Sequence, residues 1–429
     1  HLGIDIPMCG VPVHSADDYL QKLILHGQHV CVCEQIEDPK EAKKRGYKSI
    51  VKREIVRVVT PATLTEDKLL DQTTGNYLMS LGHYKGALAL AWVDISTGVF
   101  RFNKTNSERL ITDITRINPK EFLVGQDITE HPNFSALIRP FTPLIVLQPS
   151  SFFDCSVAYE RLENYYGLAG CMQVNEISRQ ELSAIAGALA YIEQTQKAQR
   201  PRLMFPTAES NQDVLFIDAA TRNNLELLQS LSGHKEGSLR KAIDRTLTSA
   251  GTRLLNERIT APLTAVKKIN ERLDSVEFFL NNPEFIKDLR DALKTSPDMP
   301  RALARISAGR ANPQDLAAIR NGLDVAHEIV QIFATHLLPL EVAEIKNTLC
   351  NLPIALLHLL QNALGDELPA NKRDGGFVRQ GYCSELDEAR SLRDETQCFV
   401  AQLQATYAAQ TEIKTLKIKH NNILGYFIE

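Results

Sequence analysis

Asp94 is the residue best placed to do chemistry. It ends the apolar run Ala87 to Asp94 and precedes Ile95-Ser96-Thr97-Gly98, a tetrad of turn formers. A carboxylate at a strand end is where ribonuclease H-like nucleases carry their first metal ligand, and two-metal hydrolysis needs several carboxylates on one site. Glu108, Asp113 and Glu121 follow, but nothing in their spacing requires them to converge, so Asp94 is expected to cap the turn. His14 and His26 flank a helix without a nucleophile and carboxylate to complete a catalytic set. They are expected to be a loop histidine and a cation near the C-terminal end of the helix dipole. No G-x-x-x-x-G-K-[ST] loop occurs; the nearest cluster, Gly233-His234-Lys235-Glu236-Gly237-Ser238, has the wrong spacing and is expected to join two helices.

The other candidates are cations. Lys40, Lys43, Lys44, Arg45, Lys48, Lys52, Arg53 and Arg57 stand against only Glu41 and Glu54, a local positive run in a chain whose formal net charge is −4. Cations beside phosphates gain by releasing counterions, whereas an isolated basic run is more often a solvated loop. Lys417 and Lys419 fall on one face of a terminal strand, a pattern that fits either a DNA-touching tip or a solvated face. The eight cysteines form no CxxC pair, which argues against a structural zinc site and for reduced thiols in a cytosolic protein. Cys31 and Cys33 alternate along an apolar run and are expected to share one side of a strand as small hydrophobes. No apolar run is long enough to span a bilayer.

The elements that must position these residues fall into four stretches of a 429-residue chain, 44% hydrophobic and 23% charged, long enough for several domains. Residues 1–70 read as a small α/β segment. It holds a helix from Asp17 to His26 stopped at Gly27, strands from Val30 to Ile36 and from Glu54 to Val59, and a loop from Lys40 to Lys52. Residues 75–205 alternate strands and helices: a hairpin from Ala87 to Asn103, a helix from Ser107 to Ile117 with Ser107 as its cap, strands at Glu121 to Val124 and Leu144 to Leu147, and helices near Val157–Tyr166 and Gln180–Gln196. Residues 213–412 are helical, with Asn312-Pro313-Gln314-Asp315 as a cap followed by proline in the first turn. The helix from Ser384 to Gln410 is roughly 40 Å long and presents Phe399, Leu403 and Tyr407 along one side, as an arm or a core helix would. Residues 413–429 return to β character around Asn421-Asn422. Residue 1 is His, and Glu429 ends an alternating run, so both ends are expected to be cuts in a longer protein.

Several motifs in series resemble one family. Ile6-Pro7-Met8-Cys9-Gly10-Val11-Pro12-Val13-His14, Cys33-Glu34-Gln35-Ile36 with Asp38-Pro39, and Val56-Arg57-Val58-Val59-Thr60-Pro61 look like the mismatch-binding domain of the MutS family of DNA mismatch repair proteins. Asp94 to Gly98 is similar to its connector. Asp218 to Glu226, and Arg373-Asp374-Gly375-Gly376 with Gly381-Tyr382 and Glu385-Leu386-Asp387, are similar to its core and lever. Leu416-Lys417-Ile418 through Gly425-Tyr426 is similar to the start of its clamp. Val13 stands where many members carry an aromatic, and Glu37 and Ala62 where many have glycine.

The resemblance implies a multidomain α/β plus all-α fold: a partial mismatch-binding segment, a ribonuclease H-like α/β connector, a long-helix core/lever and the start of a β clamp. It implies that Pro7 and Met8 sit beside the mismatch and that Lys417, Lys419, Asn421 and Asn422 touch backbone phosphates, which position a protein without reading sequence. The family's Phe-x-Glu wedge falls upstream of residue 1 in this pattern, and its ATPase domain downstream of Glu429. This chain is therefore expected to be non-catalytic and to bind no cofactor or metal. The whole protein would be a homodimeric, DNA-dependent ATPase that uses ATP and Mg2+, binds duplex DNA with mismatches or small loops, and recruits MutL, in the cytoplasm and away from membranes. The readings outside the family are a ribonuclease H-like nuclease with a helical arm, keyed on Asp94, and a non-catalytic helical scaffold.

Overall fold

The structure, a computed structural model, describes residues 9–12, 15–46, 49–167, 176–197, 199–210, 213–411, 413, 415–421 and 425–429. The chain forms two compact units, residues 1–353 and 354–429.

The first unit opens with the helix Ala16–Leu25. Its Leu20 and Ile24, four apart and so on one face, pack against Val59, Leu64 and Leu70. Strands β1 (Val30–Gln35) and β2 (Arg53–Val59) pair antiparallel. The expectation for Cys31 and Cys33 fails in part: both side chains are exposed, because Val30 and Val32 take the inward positions. The loop expected from Lys40 to Lys52 also contains a helix, Pro39–Lys44. Asp38 caps it by accepting from the Lys40 amide at 2.8 Å, and Pro39 occupies the first turn, where a missing N–H costs nothing.

A six-stranded mixed sheet follows, in the order β7-β6-β3-β4-β5-β8. Its strands are β3 (Leu78–Tyr84), β4 (Ala87–Asp94), β5 (Val99–Thr105), β6 (Glu121–Gly125), β7 (Ile145–Gln148) and β8 (Thr207–Ala208). The helix Arg179–Thr195 covers one face through Ala184, Ile185, Ala188, Leu189 and Ile192. Leu110, Ile114, Ile117, Phe134 and Ile138 cover the other. Helix and sheet approach so closely at Gly82 that a Cβ there would lie 2.3 Å from the Ala184 nitrogen and the Gln180 oxygen. Gly98 closes the β4–β5 turn at φ +79°, a conformation side chains resist. The helix expected from Ser107 begins only at Leu110, and its turn is held by Asn106, whose Oδ1 accepts from the Arg109 amide at 2.9 Å.

From Ala219 to Leu349 the unit is helical. The helix Pro313–Ala334 is its axis, opened by the expected cap: Asn312 and Asp315 exchange side-chain and backbone hydrogen bonds around Pro313. Phe285, Val325, Ile329, Phe333 and Val342 form the core beneath it.

The second unit contains the helix Ser384–Thr411, 28 residues long. Asp387 accepts from the Gly381 amide at 2.6 Å and from Arg390 at 3.2 Å, so the Gly-Tyr and Glu-Leu-Asp motifs form one helix entry. Strands β9 (Ile418–Asn421) and β10 (Gly425–Ile428) make the expected hairpin.

Substituting Gly82→Val is expected to cost about 3 kcal/mol, because the clash is with helix backbone that cannot rotate away. A lower denaturation midpoint by circular dichroism with unchanged secondary structure of the folded state checks this.

Candidate functional site

Of the residues expected to touch DNA, Pro7, Met8 and Asn422 lie outside the described residues, and for Asn421 only the backbone is described. Lys417 and Lys419 are both exposed. The Lys417 amide and carbonyl close the hairpin against Glu429 at 2.9 and 2.8 Å. The Lys419 ammonium pairs with the Glu429 carboxylate, whereas Lys417 makes no ion pair among the described residues. His14, like Lys48, lies outside the described residues, and His26 forms the C-terminal cap of its helix.

The basic run is less positive than its sequence. Arg45 pairs with Glu37, Lys44 with Glu41, Lys52 with Glu54, and Arg57 with Glu66. Glu37 also accepts from the Lys52 amide, so its carboxylate ties the end of the run back to the helix entry. Lys40, Lys43 and Arg53 keep no carboxylate partner among the described residues.

The carboxylates do not converge. Among the described residues no three His, Cys, Asp or Glu side chains are grouped to hold a metal ion. Asp94 is 2% exposed and fully committed: Oδ1 accepts from the Ser96 amide and hydroxyl at 2.9 and 2.6 Å, and Oδ2 from the Asn76 amide at 3.1 Å. It caps the turn and also tethers the strand that enters the sheet. Burial raises the Asp113 carboxyl, which accepts from Thr105 at 2.9 Å.

Glu121, the first residue of β6, sits where four elements meet, with its side chain 3% exposed. Oε2 accepts from the Thr60 hydroxyl at 2.6 Å and the Ala62 amide at 3.2 Å, while Oε1 meets Tyr191 at 3.4 Å and His29 Nε2 at 3.2 Å. One carboxylate thus ties the exit of β2 and the entry of β1 to β6 and the long sheet helix. The hydrogen bond that His29 donates to Glu121 raises its pKa above the ordinary histidine value.

Beyond this latch, residues 65–74 are held by donors from the helical body. Arg310 donates to the Thr65 hydroxyl at 2.8 Å and to Gln196 at 2.7 Å. Arg305 pairs with Asp67 at 2.6 Å and with Asp315. Arg301, 1% exposed, donates to the Asp71 and Thr74 carbonyls at 3.0 and 3.1 Å. Arg253 donates to the Gln72 carbonyl at 3.1 Å while gripping Asp298 with both amino groups, and Asn256 donates to the Thr73 carbonyl at 2.7 Å. Burial pulls the Arg310 guanidinium down to about 10, with nearby Arg57 adding to the shift. Sequence reading missed all of these arginines: they lie far from the linker in the chain and their local context is that of ordinary helix-surface residues.

A small α/β segment latched to a mixed sheet, and a linker clasped by a helical body, define a multidomain protein whose parts are mechanically joined rather than strung together. Family models match in that order: MutS domain I over residues 1–68, MutS domain II over 76–204 and MutS domain III over 220–416. The chain is 51% identical over 433 aligned positions to a DNA mismatch repair protein MutS of Bartonella tribocorum, covering 100% of this chain and 47% of the relative. A Bartonella quintana protein of the same name is likewise 51% identical, with 48% of its length covered. The chain belongs to the MutS family. It spans about half the length of the curated relatives it matches.

Two outcomes test this geometry. The His29–Glu121 pair favours the latched state below about pH 6.5, where His29 is charged even when undocked, and that contribution disappears as pH rises through the raised value. Glu121→Gln is expected to return the His29 titration toward its ordinary value, read by NMR, and to speed amide exchange at Thr60, Ala62 and Thr63. Arg301→Met leaves two carbonyls without their donor and is expected to cost about 3 kcal/mol, with faster limited proteolysis between residues 65 and 75.

Proposed function

We propose that this chain is the duplex-binding and signal-transmitting half of a DNA mismatch repair clamp. The observation that carries the reading is the serial match to MutS domains I, II and III along a chain whose linker is clasped by its helical body. In this reading residues 1–70 are the mismatch-binding part, 75–205 a ribonuclease H-like connector, 213–412 the core/lever and 413–429 the start of the clamp. Pro7 and Met8 lie beside the mispair. Lys417, Lys419, Asn421 and Asn422 contact phosphates, with Lys419 exchanging its Glu429 partner for DNA. In this reading the connector is a nuclease-like fold put to structural use, with both oxygens of the strand-end Asp94 engaged in holding the turn and the strand entry.

The whole protein acts as a homodimer in the cytoplasm, with ATP and Mg2+ supplied to a domain outside these residues and MutL recruited by the ATP-bound state. No G-x-x-x-x-G-K-[ST] phosphate-binding loop lies within the chain, which supports reading it as a part of the protein without the ATPase. Among the described residues no helix is long and apolar enough to cross a membrane.

Fluorescence anisotropy with matched and mismatched duplexes across a salt series tests the reading. Binding is expected to be weak, to fall steeply with salt, and to differ little between the duplexes, because the stretch matched by MutS domain I, residues 1–68, contains no Phe-x-Glu motif. Lys417→Ala is expected to lower the slope of log K against log salt by about 0.9, one phosphate contact. A clear mismatch preference, ATP turnover above background by the pure chain, or affinity insensitive to salt would overturn it.

A further inference from the structure

Strand β1 carries two thiols on one side. Cys31 and Cys33 alternate with Val30 and Val32, whose side chains pack inward, so both cysteines project from the outer side of the β1–β2 pair. Both are exposed and neither is in a disulfide. The register of the pair shifts between Val32 and Cys33: Val32 faces Arg57 and Cys33 faces Ile55, which leaves Val56 of β2 as the extra residue. The irregularity therefore sits on β2, and β1 keeps the alternation that sets its two thiols side by side. Opposite them stand Val58 and Ile55, whose side chains offer a metal ion nothing. Among the described residues no third His, Cys, Asp or Glu joins the pair closely enough to share a metal ion.

Distances decide what such a pair can do. Two residues along a strand separate their Cβ atoms by about 6.6 Å. A disulfide needs Cβ atoms roughly 3.5–4.5 Å apart, so the pair cannot close one without breaking the strand. A metal ion held in line between two thiolates at about 2.3 Å each sets the sulfurs about 4.6 Å apart, a span that side chains leaning toward one another across the gap can reach. Zinc is a poor occupant, because it takes four ligands in a tetrahedron and the strand supplies two. Monovalent copper is selected by soft thiolates and is satisfied by two ligands in line. We propose that Cys31 and Cys33 form a two-thiolate site for monovalent copper. Each thiol gives up its proton and forms one S–Cu bond, so one copper ion releases two protons, no atom changes oxidation state, and affinity rises with pH. The occupied site braces β1 at the point where its ladder with β2 is interrupted. It does not depend on any contact with DNA.

Anaerobic titration of the whole chain with monovalent copper, in competition with the chelator bicinchoninate, tests this. One copper ion per chain is expected by native mass spectrometry. Cys31→Ser and Cys33→Ser are each expected to weaken binding by more than about a hundredfold, beyond the usual cost of losing an outer-shell partner. Cys9→Ser and Cys350→Ser remove other exposed thiols and are expected to bind as the parent does. Circular dichroism confirms that each variant is folded; a serine variant that is not is replaced by the alanine one. Zinc is expected to bind far more weakly than copper. Failure of the chain to compete with bicinchoninate, parental affinity in the folded Cys31→Ser/Cys33→Ser double variant, an equal loss in either control, or zinc bound as tightly as copper overturns the proposal.

Discussion

Irregular backbone buried between two bodies must find a donor for every carbonyl it hides. Residues 60–76 pass between the first α/β segment and the sheet as one turn of 3-10 helix, Pro61–Thr63, followed by turns and bends, with Thr60, Thr63, Thr65 and Asn76 buried. Beyond that turn neither strand nor helix supplies their hydrogen bonds, and side chains from elsewhere do. Glu121 accepts at one end, and Arg253, Asn256, Arg301 and Arg310 donate along the rest. The sheet, the helical body and the small segment are positioned by how these demands are met. Arginine suits the role because its several donors lie in one plane and a single side chain can serve two acceptors at once, as Arg301 serves Asp71 and Thr74.

The same arrangement explains how a state of one body could reach another. The helices that hold Arg253, Arg301 and Arg305 touch the linker, and the linker continues into β3 through Asn76, which also bonds the Pro61 carbonyl at 3.0 Å and the Asp94 carboxylate. A shift of the helical body moves linker carbonyls, and through Asn76 and Glu121 that movement meets the sheet and the exit of β2. The route joins these hydrogen bonds and ion pairs to the buried apolar residues Ala62, Leu64 and Leu70, which anchor the linker in the neighbouring cores.

Local features were legible in the sequence because their causes are local. The Ala87 to Asn103 hairpin follows from an apolar run, a turn tetrad and a glycine that must adopt positive φ. The Asn312-Pro313-Asp315 cap and the terminal hairpin follow from similarly short signals. Strand β3 was not anticipated, since Ser80, Gly82 and His83 break its apolar character, and its glycine is fixed by a helix about a hundred residues away. The helix Pro39–Lys44 was missed because Asp-Pro also marks a strand exit. At the site the shortfall was larger. Lys417 and Lys419 look alike in sequence, and only the folded hairpin distinguishes them, the Glu429 carboxylate pairing with the Lys419 ammonium while the Glu429 backbone pairs with that of Lys417. No local pattern marks Glu121 or Arg301, whose importance comes from partners 59 to 230 positions away.

The basic run beside β2 carries a further consequence. Four of its cations are committed to carboxylates of the same small segment, and those pairs are mostly exposed. Added salt screens such pairs along with any attraction to phosphate. In the proposed reading, ionic strength therefore acts on this protein as two reagents at once, a competitor for the duplex and a solvent for the pairs that brace the small segment. The two effects differ in kind: counterion release scales with the logarithm of salt, whereas screening of fixed pairs saturates once the Debye length falls below their spacing.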